Sequence, residues 1–328
     1  MRKEVFALVG FLVAVFLPSG QAADTQFKDI HFKEIEQINF AAPVFPVPMP
    51  VSSPRWHLES LKYKTKTSLS GNVIIRAGFY EEAPGVLFRG NILYLEGLGD
   101  SMLNHAPLFS TLSKAGYRVI AFDYMGQGGS GGTMNDTRIL DPFSPSLKVA
   151  SLADFVYKKF ERPQSSQKRK IVLGWSTGGF AAYEMAHRGK ADAVILIAPG
   201  ICLKTVVGDH FKITLRTLGS VPSSGEKDPH VDPIKPNSPL KVPLFALNMK
   251  ASSELSRFWK IPQRVKGLVL LSGHDDTYVN AQETHQILSR NAPQFQVIDF
   301  LGALHEIDNE PQMRQKLQKD ILRFLKQL

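Results

Sequence analysis

Apolar and polar residues alternate on two different scales along the chain. From residue 91 onward, six short segments are apolar at nearly every position, and longer segments with helical apolar spacing separate them. Segments that are apolar on both faces are typical of strands in a parallel sheet covered by helices on both sides. The pattern therefore predicts an α/β fold. The six predicted strands are 91–97, 117–124, 170–176, 193–200, 267–273 and 295–302.

The segment 56–80 has a different period. Its two halves, WHLESLKYKTKT and NVIIRAGFY, alternate apolar and polar residues on either side of a SLSGN turn. A period of two predicts an antiparallel hairpin with one face in water. With this hairpin, the six later strands give a mostly parallel, eight-stranded sheet that begins with an antiparallel pair.

About 66 residues, 201–266, separate two of the predicted strands, and this distance is too long for one crossover helix. Two helix-like pieces, KTVVGDHFKITLRTL and SSELSRFWK, flank a piece rich in Pro, Ser and Asp. The segment carries eleven basic and five acidic side chains. We predict one domain, residues 56–328, with a helical insertion at 201–266.

The first residues have the pattern of an export signal. Arg2 and Lys3 precede an apolar run of thirteen residues, 5–17, and small residues then predict cleavage near Ala22 or Ala23. A retained membrane anchor is the alternative, but thirteen residues are fewer than the roughly twenty that span a bilayer. We therefore expect an exported protein, either periplasmic or secreted.

Residues 24–55 follow the predicted signal peptide, residues 1–23, and contain a dense run of proline. Five of the chain's 21 prolines lie within 43–54. This composition favours extended polyproline structure, and we predict a strap on the domain surface. Cys202 is the only cysteine, so the exported chain is expected to be stabilised by its core without an internal disulfide.

The net charge of +9 suits an anionic partner, either a lipid surface or nucleic acid. The sequence has no dense basic helix and no ladder of basic and aromatic residues, so we disfavour nucleic acid and keep peripheral contact with an anionic membrane surface as an expectation. His210, His230 and His274 lack the spacing of metal ligands, and we expect neither a metal nor another cofactor.

Serine, aspartate and histidine follow the ends of three predicted strands in that order. Ser176 lies in a Gly-x-Ser-x-Gly motif between a strand and a helix-like segment, Asp275 and Asp276 follow a later strand, and His305 follows the next one. The carboxyl ends of parallel strands lie at one edge of a sheet, so the side chains can converge as nucleophile, acid and general base. Spacing alone does not choose between the two aspartates.

Each of these residues has a simpler explanation when it is taken singly. The glycines of GWSTG can serve close packing in a turn, the aspartates can cap a helix that begins near Asn280, and His305 can cap one that begins near Pro311. These explanations do not account for the order of the three types at successive strand ends, so we favour the catalytic interpretation.

Four motifs resemble those of the α/β-hydrolase superfamily, most of all its monoacylglycerol lipase and lysophospholipase group. They correspond in that family to the oxyanion loop, the Asp-x-x-Gly-x-Gly-x-Ser turn, the nucleophile elbow and the histidine segment. The resemblance covers roughly residues 90–325, and the insertion falls where the family carries a cap over its active site. The motifs are LYLEGLGDS at 93–101, FDYMGQGGSGG at 122–132, GWSTGG at 174–179 and GALHEIDNEP at 302–311.

The resemblance implies a role for five residues. Ser176 is the nucleophile, His305 the base and Asp276 the acid, while the backbone N–H groups of Leu98 and Thr177 bind the oxyanion. It also implies hydrolysis of a carboxylic ester through an acyl-enzyme, without a cofactor. Apolar residues and positive charge in the insertion suit a lipid-type ester, a monoacylglycerol or a lysophospholipid, although the apolar residues can equally serve to pack the insertion against the core.

Two positions depart from the family pattern. Glu96 stands where the family usually has histidine, so this carboxylate must point away from the oxyanion, accept hydrogen bonds or hold a proton. Trp175 also stands in place of a common histidine, and either packs under the elbow or contacts substrate. Phe258 and Trp259 are further candidate substrate contacts, and His105 either rims the pocket or lies on a helix.

Two other functions compete with ester hydrolysis. An aminopeptidase of the same fold needs an acidic group to hold an amine, and Glu96 offers one. A non-catalytic binding protein on a hydrolase scaffold is the alternative from a different class.

Overall fold

The chain divides into two units, Met1–Ala42 and Pro43–Leu328. The computed structural model describes residues 55–64, 72–132, 144–163, 169–204, 249, 252–274, 276 and 278–328, all in the second unit. The predicted signal peptide, nearly all of the predicted strap and much of the insertion lie outside the described residues. Among the described helices, none has both the length and the apolar character needed to cross a membrane.

Eight strands form one sheet in the order β1-β2-β4-β3-β5-β6-β7-β8. The pairs β1–β2 and β2–β4 are antiparallel, and every other pair is parallel. This is the mostly parallel sheet with an N-terminal hairpin that the sequence predicts. The strands are β1 Trp56–Lys64, β2 Asn72–Tyr80, β3 Gly90–Leu95, β4 Tyr117–Phe122, β5 Ile171–Trp175, β6 Ala193–Ile197, β7 Lys266–Leu271 and β8 Gln296–Asp299.

Helices cover both faces of the sheet. Helices α1 (Ala106–Lys114) and α5 (Pro311–Leu325) pack on one face, and α2 (Ser144–Phe160), α3 (Thr177–His187) and α4 (Ala281–Asn291) pack on the other. Because each face is covered, the central strands β3, β5 and β6 are buried at every position, whereas the outer strand β1 alternates between exposed and more buried residues.

Strand β3 contributes to both cores. Ile92 and Tyr94 point to the core beneath α1 and α5, whereas Leu93 and Leu95 point to the opposite core. All four side chains are fully buried. Alternate residues of a strand point to opposite faces, so an uninterrupted apolar run builds two cores at once.

Strand β8 is shorter than the predicted segment 295–302. The chain turns after Asp299, where the N–H of Ala303 donates to the carbonyl of Phe300 at 3.0 Å. This turn directs the chain toward His305 at the carboxyl edge of the sheet.

Candidate active site

Ser176 occupies a strained turn between β5 and α3. Its backbone has φ 53° and ψ −115°, a conformation that non-glycine residues rarely adopt. A Cβ on Gly178 would lie 2.1 Å from the carbonyl oxygen of Leu95 and 2.5 Å from that of Glu96. Glycine therefore allows the elbow to touch the loop after β3, which is the family's oxyanion loop.

Three residues that are distant in sequence meet at this elbow. The Nε2 atom of His305 lies 2.8 Å from Ser176 Oγ, and its Nδ1 atom lies 2.8 Å from Asp276 Oδ2. All three are buried, Ser176 being 6% exposed. The structure thus brings together the serine, histidine and aspartate that the sequence proposed, in hydrogen-bonding order.

The carboxylate of Asp276 is held by its own loop. The N–H groups of Tyr278 and Val279 donate to Oδ1 at 2.7 and 3.0 Å, and the hydroxyl of Ser272 donates to Oδ2. Burial alone would raise the pKa of Asp276, but the hydrogen bond and charge of His305, with these other donors, lower it below its usual value. Asp276 is therefore an anion that fixes the orientation of the imidazole.

Asp276 and His305 do not cap a helix in the way that the simpler explanation required. The side chain of Asn280 caps α4 by accepting from the N–H of Glu283 at 3.0 Å, and Glu310 occupies the N-cap position of α5. Asp275 lies outside the described residues.

Lys204 supports the loop that carries Asp276, a role that the sequence did not indicate. Its ammonium group donates to the carbonyl oxygens of His274 and Asp276 at 2.9 and 2.7 Å. The backbone N–H of Lys204 donates to the carbonyl of Tyr278 at 2.7 Å. A lysine at the start of a basic segment gives no local signal for this role.

Trp175 packs beneath His305, which is the first of the two alternatives that the sequence left open, and its contact with substrate stays a prediction. Its side chain is 4% exposed and its ring centroid lies 5.3 Å from that of His305. The indole N–H donates to the carbonyl of His305 at 3.0 Å. A Cβ on Gly97 would lie 2.2 Å from the indole ring, so the ring also packs against the oxyanion loop.

Trp259 packs against helix α3. Its ring centroid lies 5.4, 5.8 and 5.2 Å from those of Phe180, Tyr183 and His187. Phe258 is 80% exposed. The structure gives Trp259 a packing role, and the contact of either residue with substrate stays a prediction.

The two N–H groups that the resemblance implies lie on different elements, one on helix α3 and one in the oxyanion loop. Thr177 is the first residue of α3, where N–H groups are free to bind an anion. Leu98 lies in the loop after β3 and is 5% exposed. Neither N–H donates to another residue in the described part of the chain.

Gln127, from the Asp-x-x-Gly-x-Gly-x-Ser turn, clamps this loop on both sides of Leu98. Its Nε2 donates to the carbonyl of Gly97 at 3.1 Å, and its Oε1 accepts from the N–H of Gly99 at 2.7 Å. Its Nε2 also donates to Oε1 of Glu96 at 2.8 Å. Gln127 thereby fixes the peptide that presents the Leu98 N–H.

Glu96 is fully buried and accepts hydrogen bonds. Its Oε1 accepts from the N–H of Tyr124 at 2.8 Å in addition to Gln127. Burial and the negative charges of Asp123 and Asp100 raise the pKa of Glu96 well above its usual value, and the two hydrogen bonds only partly oppose this. This shift favours the protonated, neutral carboxyl group, which does not oppose an oxyanion.

A buried ion pair anchors the far end of the same loop. The guanidinium of Arg76 donates to Asp123 Oδ2 at 2.5 Å and to Ser101 Oγ at 3.0 Å. The other oxygen of Asp123 accepts from the N–H of Met102 at 2.9 Å. The oxyanion loop is thus fixed at its middle by Gln127 and at its end by this pair.

Comparison with known proteins agrees with this architecture. A family model described as the alpha/beta hydrolase fold matches residues 90–239. The chain therefore has the α/β-hydrolase fold, and the match supports its assignment to that superfamily.

Individual relatives are distant in sequence. The uncharacterized protein YfhR of Escherichia coli strain K12 is 24% identical over 260 residues, which cover 75% of this chain and 81% of that protein. A soluble variant of the monoglyceride lipase of Saccharomyces cerevisiae, solved with a substrate analog, has TM-score 0.61 at 16% identity, covering 86% of this chain and 98% of the lipase. A carboxyl esterase of Bacillus coagulans, solved with glycerol, has TM-score 0.59 at 15% identity, covering 82% and 98%.

Proposed function

We propose that the protein is a serine hydrolase of carboxylic esters. The fold, the family match and the lipase and esterase neighbours support a hydrolase. The observation that carries the proposal is the hydrogen-bonded chain from Ser176 Oγ through His305 to Asp276, with 2.8 Å at each step, at a strained elbow.

The proposed reaction has two halves. His305 accepts the hydroxyl proton of Ser176 through Nε2 while Oγ attacks the ester carbonyl, and the N–H groups of Leu98 and Thr177 stabilise the oxyanion. The imidazolium, paired with Asp276, then protonates the leaving alcohol. In the second half His305 takes a proton from water as the water oxygen attacks the acyl carbonyl. The imidazolium then returns this proton to Ser176 Oγ as the bond between Oγ and the acyl group breaks and the acid is released.

The proposed substrate is a lipid-type ester, a monoacylglycerol or a lysophospholipid. Support comes from the likeness to the yeast monoglyceride lipase and from the composition of the insertion, which combines apolar residues with an excess of positive charge. Most of that insertion, including the apolar stretch at 242–249 apart from Met249, lies outside the described residues.

The two competing functions lose support. The aminopeptidase alternative relied on Glu96 to hold an amine, but Glu96 is fully buried, accepts hydrogen bonds from Tyr124 and Gln127, and has a raised pKa that favours its neutral form. A non-catalytic binding protein would be expected to have a broken triad or oxyanion loop, whereas the three triad side chains are in hydrogen-bonding contact.

The deciding experiment is fatty-acid release by the mature protein from a monoacylglycerol, lysophosphatidylcholine and a short-chain ester, together with labelling by a fluorophosphonate. We expect release from the long-chain lipids and one label at Ser176, both lost in Ser176→Ala and retained in Ser289→Ala, which alters an exposed serine on α4. Release from the short ester alone would reject the lipid substrate. Absence of both release and labelling would reject the serine hydrolase.

A further inference from the structure

His105 lies fully buried between two loops that the proposed mechanism needs. Its Nε2 atom is 2.5 Å from Asp100 Oδ2, and its Nδ1 atom is 2.6 Å from Asp308 Oδ2. Asp100 belongs to the oxyanion loop, two residues after Leu98. Asp308 lies three residues after His305.

The two contacts define the protonation state of the ring. A neutral imidazole donates from one nitrogen only, whereas an imidazolium donates from both. Each nitrogen of His105 faces a carboxylate oxygen at hydrogen-bonding distance, so the ring carries a proton on both. Burial alone would lower the pKa of His105, but the charges of Asp100 and Asp308 outweigh it and raise the pKa well above 6.5.

Aromatic side chains enclose the cluster formed by His105, Asp100 and Asp308. Tyr94 and Phe109 contact the imidazole of His105 with centroid distances of 4.9 and 6.4 Å. On the side toward the catalytic residues, the ring of Trp175 lies 5.7 Å from that of His105 and 5.3 Å from that of His305. One ring thus separates the cluster from His305, and burial shields the cluster from water, which strengthens its hydrogen bonds.

We propose that His105 is a positioning residue, an imidazolium that ties the oxyanion loop to the loop carrying His305. The tie fixes the distance between the Leu98 N–H and the imidazole that deprotonates Ser176. Its effect on catalysis rests on the proposed function, but the tie itself does not. From the sequence, His105 could either rim the pocket or lie on a helix. In the structure it is the last residue of the 3₁₀ helix Met102–His105.

The groups that face His105 determine how the tie depends on pH. Besides Asp100 and Asp308, they are Tyr94 and the carboxyl of Glu306, whose pKa burial and the charge of Asp100 raise to about 7. As the pH rises through the raised pKa of His105, the ring loses a proton and one carboxylate loses its donor. While Asp100 and Asp308 are ionised, the stabilisation is therefore complete below about pH 6.5, and it is lost as the pH rises through the raised pKa of His105.

The protonation state can be measured directly. In protein labelled with nitrogen-15 in histidine and assigned with His105→Gln, we expect both ring nitrogens of His105 to be protonated at pH 7.5, with signals that EDTA and added zinc do not alter. Asp100, His105 and Glu306 also place potential ligand atoms within 4.8 Å of one another. An unprotonated nitrogen, or signals that respond to zinc, would overturn the tie.

The positioning role is tested with Asp100→Asn, Asp308→Asn and the double variant. We expect kcat to fall about tenfold to a hundredfold in each single variant with KM within about twofold, because displacements near 1 Å cost that much. The double variant should be little worse than either single one, since both remove the same tie. His187→Gln, at the far end of α3, is the matched control and should retain wild-type kcat.

Hydrogen exchange separates this inference from the proposed function, since it needs no turnover. Either Asn variant should speed amide exchange in both loops, 97–101 and 304–310, while His187→Gln should speed neither. Faster exchange confined to the mutated loop, with additive losses of kcat, would overturn the tie. If wild-type protein cleaves no ester but both loops respond together, the function fails and the tie stands.

Discussion

Glu96 is a buried carboxyl group beside the oxyanion loop whose environment favours the neutral form. It accepts hydrogen bonds from Tyr124 and Gln127, while burial and neighbouring carboxylates raise its pKa. Of the three ways in which a glutamate can be tolerated at this position, the structure shows hydrogen bonding, and the raised pKa favours protonation as well.

The pH dependence of folding follows from this raised pKa. An acid that binds its proton more tightly when folded stabilises the protein fully below its unfolded pKa of about 4.3, and the stabilisation is lost as the pH rises through the folded pKa. In Glu96→Gln, which stays neutral, the free energy of unfolding should fall less over this range than in the wild type. Urea unfolding at several pH values measures the difference.

A second substitution at the same position controls for hydrogen bonding. Glu96→Ala leaves the N–H of Tyr124 and the amide of Gln127 without their acceptor, and should cost about 1–3 kcal/mol of unfolding free energy at pH 5. Equal pH slopes in wild type and Glu96→Gln would contradict a neutral Glu96.

Trp175 should affect catalysis from behind the triad. Trp175→Phe keeps a ring beneath His305 but removes the 3.0 Å hydrogen bond to its carbonyl. We expect a loss of about 1 kcal/mol in unfolding free energy and a fall in kcat of about tenfold through misplacement of the imidazole. Urea unfolding measures the loss of stability, and steady-state kinetics measure the fall in kcat. The control variant Trp259→Phe alters a ring that packs on α3 and should leave kcat unchanged.

At the scale of elements, the elbow depends on close contact between two backbones. Helix α3 begins directly after Ser176, and its first turn lies against the end of β3 and the start of the oxyanion loop. This contact sets the serine hydroxyl and the Leu98 N–H at a fixed separation, because neither backbone can move without the other.

Gly178→Ala should break this contact. The added methyl would meet the carbonyl oxygen of Leu95 at 2.1 Å, and we expect a loss at the upper end of the roughly 1–3 kcal/mol that overpacking costs. Gly131→Ala is the matched control, since its Cβ would meet only the carbonyl of Ile74, at 3.6 Å. Thermal unfolding of both variants gives the comparison, and equal losses would contradict the packing argument.

The elements that sequence predicts best are those with a local signal. Strands buried on both faces, such as β3, are apolar at nearly every position, and the elbow carries its glycines close to Ser176. By contrast, His105 and Asp308 are 203 positions apart, and nothing near either residue indicates the other. Gln127 and Lys204 act on loops distant in sequence, so their roles appear only once the sheet brings those loops together.

At the scale of the whole molecule, export and surface charge remain predictions. The apolar run 5–17 should direct secretion, and a charge in its middle, as in Leu12→Arg, should retain the full-length chain in the cytoplasm because it disrupts the apolar core of the signal. Mass spectrometry of the secreted form should find an N-terminus near Ala22 or Ala23. An uncleaved N-terminus in membranes would favour the anchor instead.

Trp175 also makes the protein its own optical reporter. The chain has three tryptophans, and the other two, Trp56 and Trp259, pack away from His305. Indole fluorescence responds to charge and polarity within a few ångströms, so acylation of Ser176 will alter the emission of Trp175 through the imidazole between them. In a variant that carries both Trp56→Phe and Trp259→Phe, the fluorescence of Trp175 alone would measure the fraction of acylated protein without a chromogenic substrate.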